Sequence, residues 1–215
     1  MRRPTFPLPG WDVALLGLAV LVSNAPLLLA GQPSLALVYA PHAVSAGEWW
    51  RLLTHPLVHV SRYHLLLDGV AFLSLLAGLG DLRAPQRLAL VGASAATSLA
   101  AASVLPGEAA RYGLCGLSGV GHGLLAATAV LLVRDPDAST RRLGAVVLVL
   151  VVGKALGEAL TGRLLLDLVH LGDLGRPNRL CHLGGVVGGG LAALLVAAPS
   201  RPRPALGLDR NGSAS

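Results

Sequence analysis

Charge is scarce in this sequence. Only 13% of its 215 residues are charged, against about 25% in an ordinary soluble domain. The shortage excludes a conventional water-solvated globule, because 53% of the residues are hydrophobic and the mean hydropathy is +0.66. Cysteine is scarce as well, with two in the chain, which excludes a disulfide framework. No convincing internal repeat is present, an absence that argues against a repeat-built transporter. The His-Glu-x-x-His pattern of zinc peptidases is missing. The Gly-x-Ser-x-Gly elbow of soluble hydrolases is missing too, since Val120 occupies its last glycine position.

What is present is a series of long apolar runs. A membrane span needs about 20 mostly apolar residues, and six candidates emerge at roughly 11–31, 57–79, 87–105, 116–133, 143–161 and 181–198. The opening Met1-Arg2-Arg3 mimics a signal peptide. The run behind it is longer than a usual signal core and lacks a clear small-x-small cleavage site, so it reads as an uncleaved first span. The expected class is therefore an all-α membrane protein. A short N-terminus (1–10) precedes a six-helix membrane domain (11–198). A tail (199–215) rich in Pro, Arg, Gly and Ser is expected to be disordered.

The net charge of +6 comes largely from arginines in short loops. It is a topology signal rather than a nucleic-acid patch, and no nucleic-acid partner is expected. With the N-terminus cytoplasmic, ten arginines fall on the cytoplasmic side and six on the other. The imbalance predicts both termini inside. Spans two, four and six then all begin at the outer face. His59 and His64 open span two, Ser118 and His122 open span four, and His182 opens span six. Three separate stretches place their unusual polar residues at one depth.

Polar side chains inside a membrane are expensive and are functional candidates. Ser118 sits in the stretch Gly113–Gly123, among glycines where lipid would favour Leu and Val. A serine hydroxyl becomes a nucleophile when a base takes its proton, and His182 is the candidate base. Gly119 and Gly123 on span four, with Gly185 and Gly189 on span six, form small faces that let two helices approach closely. Such an approach predicts a Ser118–His182 dyad. No acid is evident as a third member; Asp173 lies in the preceding loop, but nothing ties it to His182.

The oxyanion of an acyl transfer needs donors. The Ser118 N–H is one candidate, and His64 with Asp68, four apart on one helix face, supplies side-chain support. His122 either stacks on or bonds to His182, or is a buried polar residue with an ordinary partner. Lys154 and Glu158, also four apart, are an expected intramembrane ion pair, or else contacts to a substrate's polar tail or to a nucleophilic amine. Cys115 and Cys181 flank the dyad as free thiols or as a disulfide.

These residues resemble the rhomboid family of intramembrane serine proteases across roughly residues 47–195. Trp50-Arg51 looks like the family's Trp-Arg in the first loop. Val58-His59-Val60-Ser61 followed by His64 and position 68 looks like its second-span motif. Gly116-Leu117-Ser118-Gly119 looks like its nucleophile motif, and His182 with Gly185 and Gly189 like its base motif. The resemblance implies a six-helix bundle, a Ser118–His182 dyad without metal or cofactor, and His64 with residue 68 beside the oxyanion. Two positions depart from the pattern. Asp68 stands where the family usually has Asn, and His122 where it commonly has Tyr. Gly-Leu-Ser-Gly-Val-x-His-Gly together with His-Leu-Leu-Leu-Asp looks like the rhombosortase branch. That branch implies a substrate anchored in a Gram-negative inner membrane by a C-terminal Gly-Gly, an apolar helix and basic residues. It implies cleavage near the periplasmic face, and transfer to water or to a lipid-like amine. The rival readings are a general rhomboid cutting other membrane helices, a catalytically dead relative acting as a membrane chaperone, and a histidine-rich metal-binding or transport protein built on His55, His59, His64, His122 and His182.

Overall fold

The computed structural model describes residues 10–165, 171–174 and 178–196. The expected tail 199–215 and all but Gly10 of the N-terminal segment lie outside the described residues. Every regular element within them is a helix, joined by one isolated antiparallel bridge between Tyr39 and Leu114. The helices are α1 (Trp11–Ser23), α2 (Ala25–Ala30), α3 (Pro41–Ser45), α4 (Arg51–Thr54), α5 (Arg62–Gly78), α6 (Ala84–Ser103), α7 (Pro106–Tyr112), α8 (Ser118–Val133), α9 (Ala138–Thr161) and α10 (Cys181–Leu195).

The apolar runs and the helices do not coincide everywhere. The expected first span, 11–31, is two helices broken at Asn24. The Asn24 amide donates to the carbonyls of Val20 (2.7 Å) and Leu57 (2.6 Å), and its oxygen accepts from His59 N–H (2.9 Å). Pro26 then occupies the first turn of α2, where a missing N–H is tolerated. The second span starts late, at Arg62. Ser61 caps α5 by accepting from His64 N–H at 3.0 Å, and the preceding segment Arg51–Leu57 is bent 94° away from it. The fifth helix starts early because Asp137 caps it, accepting from Thr140 N–H at 2.8 Å. Among the described residues, α9 alone meets the length and apolarity of a crossing helix. Arg51–Leu57 with α5 meets it as a bent pair, and α1, α8 and α10 are shorter apolar helices.

α10 lies at the centre, packed on α8 and α6, with α9 covering α8. Glycine makes this possible. A Cβ on Gly185 would collide with the Gly119 carbonyl, one on Gly189 with the Gly123 carbonyl, and one on Gly184 with the Thr97 carbonyl. Phe72, Leu76, Leu90, Leu117 and Leu124 are fully buried in the principal core. The outer faces are apolar instead of polar: Leu18, Val22, Val149, Leu150, Leu191 and Leu195 are all exposed. A soluble monomer rarely exposes so much apolar surface, and lipid is the solvent that suits it.

The first loop is stapled by its Trp-Arg pair. Arg51 donates to the carbonyls of Leu35 (2.7 Å) and Val38 (2.6 Å) and pairs with Glu48, while the Trp50 indole donates to the Ala36 carbonyl at 3.0 Å.

Candidate active site

Ser118 is the first residue of α8. Leu117 before it provides no side-chain cap, so the leading N–H groups of the helix have no partner within the helix and carry its positive dipole end. Residues 113–117 approach in an irregular path. Gly116 has φ +99°, donates its N–H to the His55 carbonyl at 3.1 Å, and lies so close to His64 that a Cβ would meet its ring at 2.8 Å. Only glycine serves there, because the backbone is left-handed and the space is taken.

His182 is the second residue of α10. Asn178 fixes the start of that helix, donating to the Ala102 carbonyl (3.3 Å) and accepting from Leu180 N–H (3.0 Å). The glycine contacts between α8 and α10 then bring the two chemical groups together. His182 Nε2 lies 3.0 Å from Ser118 Oγ, within the range expected of a nucleophile and its base. His182 is buried and Ser118 half-buried. A pocket opens beside the serine, lined by His55, Cys115, Gly116, Gly119 and Cys181 among others.

His64 and Asp68 meet as their spacing on one helix face implies. His64 Nε2 lies 3.1 Å from Asp68 Oδ2, and His59 Nε2 lies 3.6 Å from the same oxygen. Nδ1 of both His59 and His64 is buried with no hydrogen-bond partner among the described residues, so the two rings are held on their Nε2 side by Asp68. The rings of His59 and His64 meet edge to face, with centroids 4.9 Å apart.

His122 does both things expected of it. Its ring stacks on His182 with centroids 4.1 Å apart and planes 11° apart. Its Nδ1 lies 2.7 Å from the Ser118 carbonyl and its Nε2 lies 3.0 Å from Lys154 Nζ. Lys154 and Glu158 form the expected ion pair at 2.7 Å.

One expectation is corrected. An acid does stand behind the histidine: Glu158 Oε2 lies 2.6 Å from His182 Nδ1. The pairing with Lys154 accounts for Glu158 on its own helix and so hides its second partner. Asp173, the loop acid, is elsewhere; its backbone carbonyl accepts from the Ser61 hydroxyl.

His122, Glu158 and His182 also bring ligand-type atoms within 4.8 Å of one another. A cation held there would have to displace the Lys154 ammonium, which already bonds two of the three. Cys115 and Cys181 are free thiols. Burial pushes the Cys115 thiol up to about 12, so it is no thiolate at neutral pH.

No curated protein shows a significant match to the chain. A Rhomboid domain model, however, matches residues 46–199, and the chain belongs to the rhomboid family, whose members are membrane-embedded and generally intramembrane serine proteases.

Proposed function

We propose that this protein is a serine endopeptidase of the bacterial inner membrane that removes a C-terminal Gly-Gly sorting tail from exported proteins. The observation that carries the reading is the 3.0 Å contact between His182 Nε2 and Ser118 Oγ inside a glycine-packed helix pair. The Ser118 proton passes to His182 Nε2 as Oγ attacks the scissile carbonyl carbon. The carbonyl oxygen becomes an oxyanion, met by the Ser118 N–H at the head of α8 and by an N–H of His64, which the Asp68 carboxylate holds. Donors of this kind are worth about 10²–10³ in rate each. The oxyanion collapses, the C–N bond breaks, and His182 gives the proton to the leaving amine. Water, or an amine of a lipid-like acceptor, then attacks the Ser118 ester, with His182 acting as base again.

The arginine asymmetry supports six spans with both termini cytoplasmic and the site near the periplasmic face. The Gly-Gly specificity is supported by the Gly-Leu-Ser-Gly-Val-x-His-Gly and His-Leu-Leu-Leu-Asp motifs.

The test is co-expression with a reporter bearing such a tail. Ser118→Ala should abolish processing while leaving the protein's level unchanged. Normal processing by that variant would end the proposal. Exchanging the tail for an unrelated membrane helix separates the sorting enzyme from a general rhomboid: cleavage of both with equal efficiency favours the general protease. Mass spectrometry of the new C-terminus reports the cut site and any attached group.

A further inference from the structure

The pairing of serine with histidine leaves three neighbours without a role. Glu158 is 1% exposed. Its Oε1 accepts from Lys154 Nζ at 2.7 Å and from Leu165 N–H at 3.0 Å, and its Oε2 faces His182 Nδ1. Lys154 in turn meets His122, and His122 returns to the backbone of Ser118. The five residues form a closed ring that starts and ends at the nucleophile.

The direction of each hydrogen bond in that ring is forced. The Ser118 carbonyl can only accept, so His122 must carry its proton on Nδ1. Its Nε2 is then an acceptor, filled by the Lys154 ammonium, which can only donate. The ammonium gives a second proton to Glu158 Oε1 and thereby pairs the buried carboxylate, which a buried charge requires. The carboxylate accepts at Oε2, so His182 carries its proton on Nδ1. In neutral His182 that leaves Nε2 bare, facing the Ser118 hydroxyl. One of the two neutral forms of His182 can act as base toward Ser118, and the ring admits that form.

We propose that Glu158 is the positioning acid of a Ser118–His182–Glu158 triad, and that Lys154 and His122 close the triad into a ring that holds His182 in its base-competent tautomer. The inference rests on the proposed roles of Ser118 as nucleophile and His182 as base. During attack the proton moves from Ser118 Oγ to His182 Nε2. The Nδ1 proton stays on the imidazole, hydrogen-bonded to Glu158, which stabilises the imidazolium without taking its proton. The same Nε2 proton then leaves with the amine.

Glu158→Gln is the discriminating variant, because the amide keeps the shape but reverses one bond. Its oxygen still accepts from Lys154, its NH₂ donates to His182 Nδ1, and the Nε2 of His182 takes the proton and turns it toward Ser118. With detergent-solubilised full-length protein, a Gly-Gly-tailed reporter and a fluorophosphonate label on Ser118, kcat and labelling rate should fall by about 10³–10⁴, with KM changed by about twofold or less. Glu158→Asp should restore part of the loss. A role confined to stapling α9 to α10 would lower thermal stability and leave labelling of the folded fraction at the wild-type rate, and that result would overturn the proposal. A second measurement needs no variant. Nitrogen NMR of labelled histidine in the wild-type chain, at a pH where both imidazoles are neutral, should find His122 and His182 both protonated at Nδ1 and bare at Nε2; the opposite tautomer at His182 overturns the ring. If wild-type Ser118 takes no label and cuts no reporter, the proposed peptidase activity itself has failed, whereas equal labelling of wild type and Glu158→Gln defeats the triad alone.

Discussion

The imidazoles of His122 and His182 lie face to face, with centroids 4.1 Å apart and planes 11° apart. The two rings come from different helices and are fixed by different means. His182 is held at its edge by Glu158, while His122 is held at both edges, by the Ser118 carbonyl and by Lys154. The stack therefore sets the tilt of the His182 ring, and its contact with Glu158 sets its rotation. A phenylalanine at 122 would keep a flat ring for the stack and lose both edge contacts.

His122→Phe separates these contributions. A hydrogen bond to a charged group is worth about 1.5–3 kcal/mol, and Lys154 loses one but keeps Glu158. The expected result is a fall in kcat of about tenfold with a folded protein. His122→Ala also removes the stack and should fall further. Steady-state cleavage of a tailed reporter, normalised to folded protein, checks both.

The small-residue seam between α8 and α10 gives a second prediction. A Cβ on Gly185 would run into the Gly119 carbonyl, whereas one on Gly190 meets nothing within 4 Å. Gly185→Ala must push α10 outward. Overpacking of this kind costs about 1–3 kcal/mol, and a displacement of about 1 Å in a catalytic pair costs about 10² in rate. Gly190→Ala, one residue beyond the seam, should be neutral or stabilising by about 0.4–1 kcal/mol, because it only restricts the unfolded chain. Thermal unfolding in detergent and reporter cleavage distinguish the two; equal behaviour would contradict the seam.

The meeting of Ser118 and His182 is legible in the sequence because two independent signals agree on it. Glycines spaced four apart mark both helices, and both residues stand at the start of alternate apolar runs. Glu158 is illegible for a specific reason: an i, i+4 partner, Lys154, satisfies it on its own helix, and the acid needs no further explanation there. The same alternation reaches it if applied to the ends of the runs as well as their starts. The end of α9 lies beside the start of α10, and Glu158 is three residues before the end of α9 at Thr161. The break at Asn24 is hidden differently. One asparagine inside an apolar run is compatible with a continuous helix, and the three backbone groups it binds come from two separate segments.

The N-terminus of α9 should respond to acid. Hydrogen bonds from the Ser139 hydroxyl, Thr140 N–H and the Thr140 hydroxyl hold the exposed Asp137 carboxyl down at about 2, from an ordinary value of 3.8. A carboxyl depressed in the folded state contributes stability that is full above its ordinary value and lost as pH falls through the folded one. Amide exchange at residues 138–141 should therefore stay slow down to about pH 4 and speed up toward about pH 2, after allowance for intrinsic rates. Asp137→Asn, which caps without titrating, should remove the pH dependence.

The far end of the bundle from Ser118 offers a test of what holds the scaffold rather than the site. Asp12, fully buried at the start of α1, takes two bonds from Arg87 on α6, at 2.7 Å and 2.5 Å. The third arm of Arg87 donates to the Leu82 carbonyl at 2.8 Å. α1 has few other ties to α6, so this fork fixes its base. Removing one partner leaves a buried charge uncompensated, at a cost of about 3–5 kcal/mol, whereas replacing both with apolar groups can be nearly neutral. Arg87→Met should thus lower the unfolding temperature sharply, and Asp12→Leu combined with Arg87→Met should recover much of the loss. In the folded fraction of Arg87→Met the Ser118 labelling rate should match wild type, since among the described residues the hydrogen bonds of the fork go to Asp12 and to the carbonyls of Leu79, Gly80 and Leu82, none on α8 or α10. A double-mutant cycle by thermal unfolding measures the coupling. A cycle that sums without a coupling term would mean that the pair contributes nothing as a pair, and that α1 is held by apolar packing through Val13 and Val20 alone.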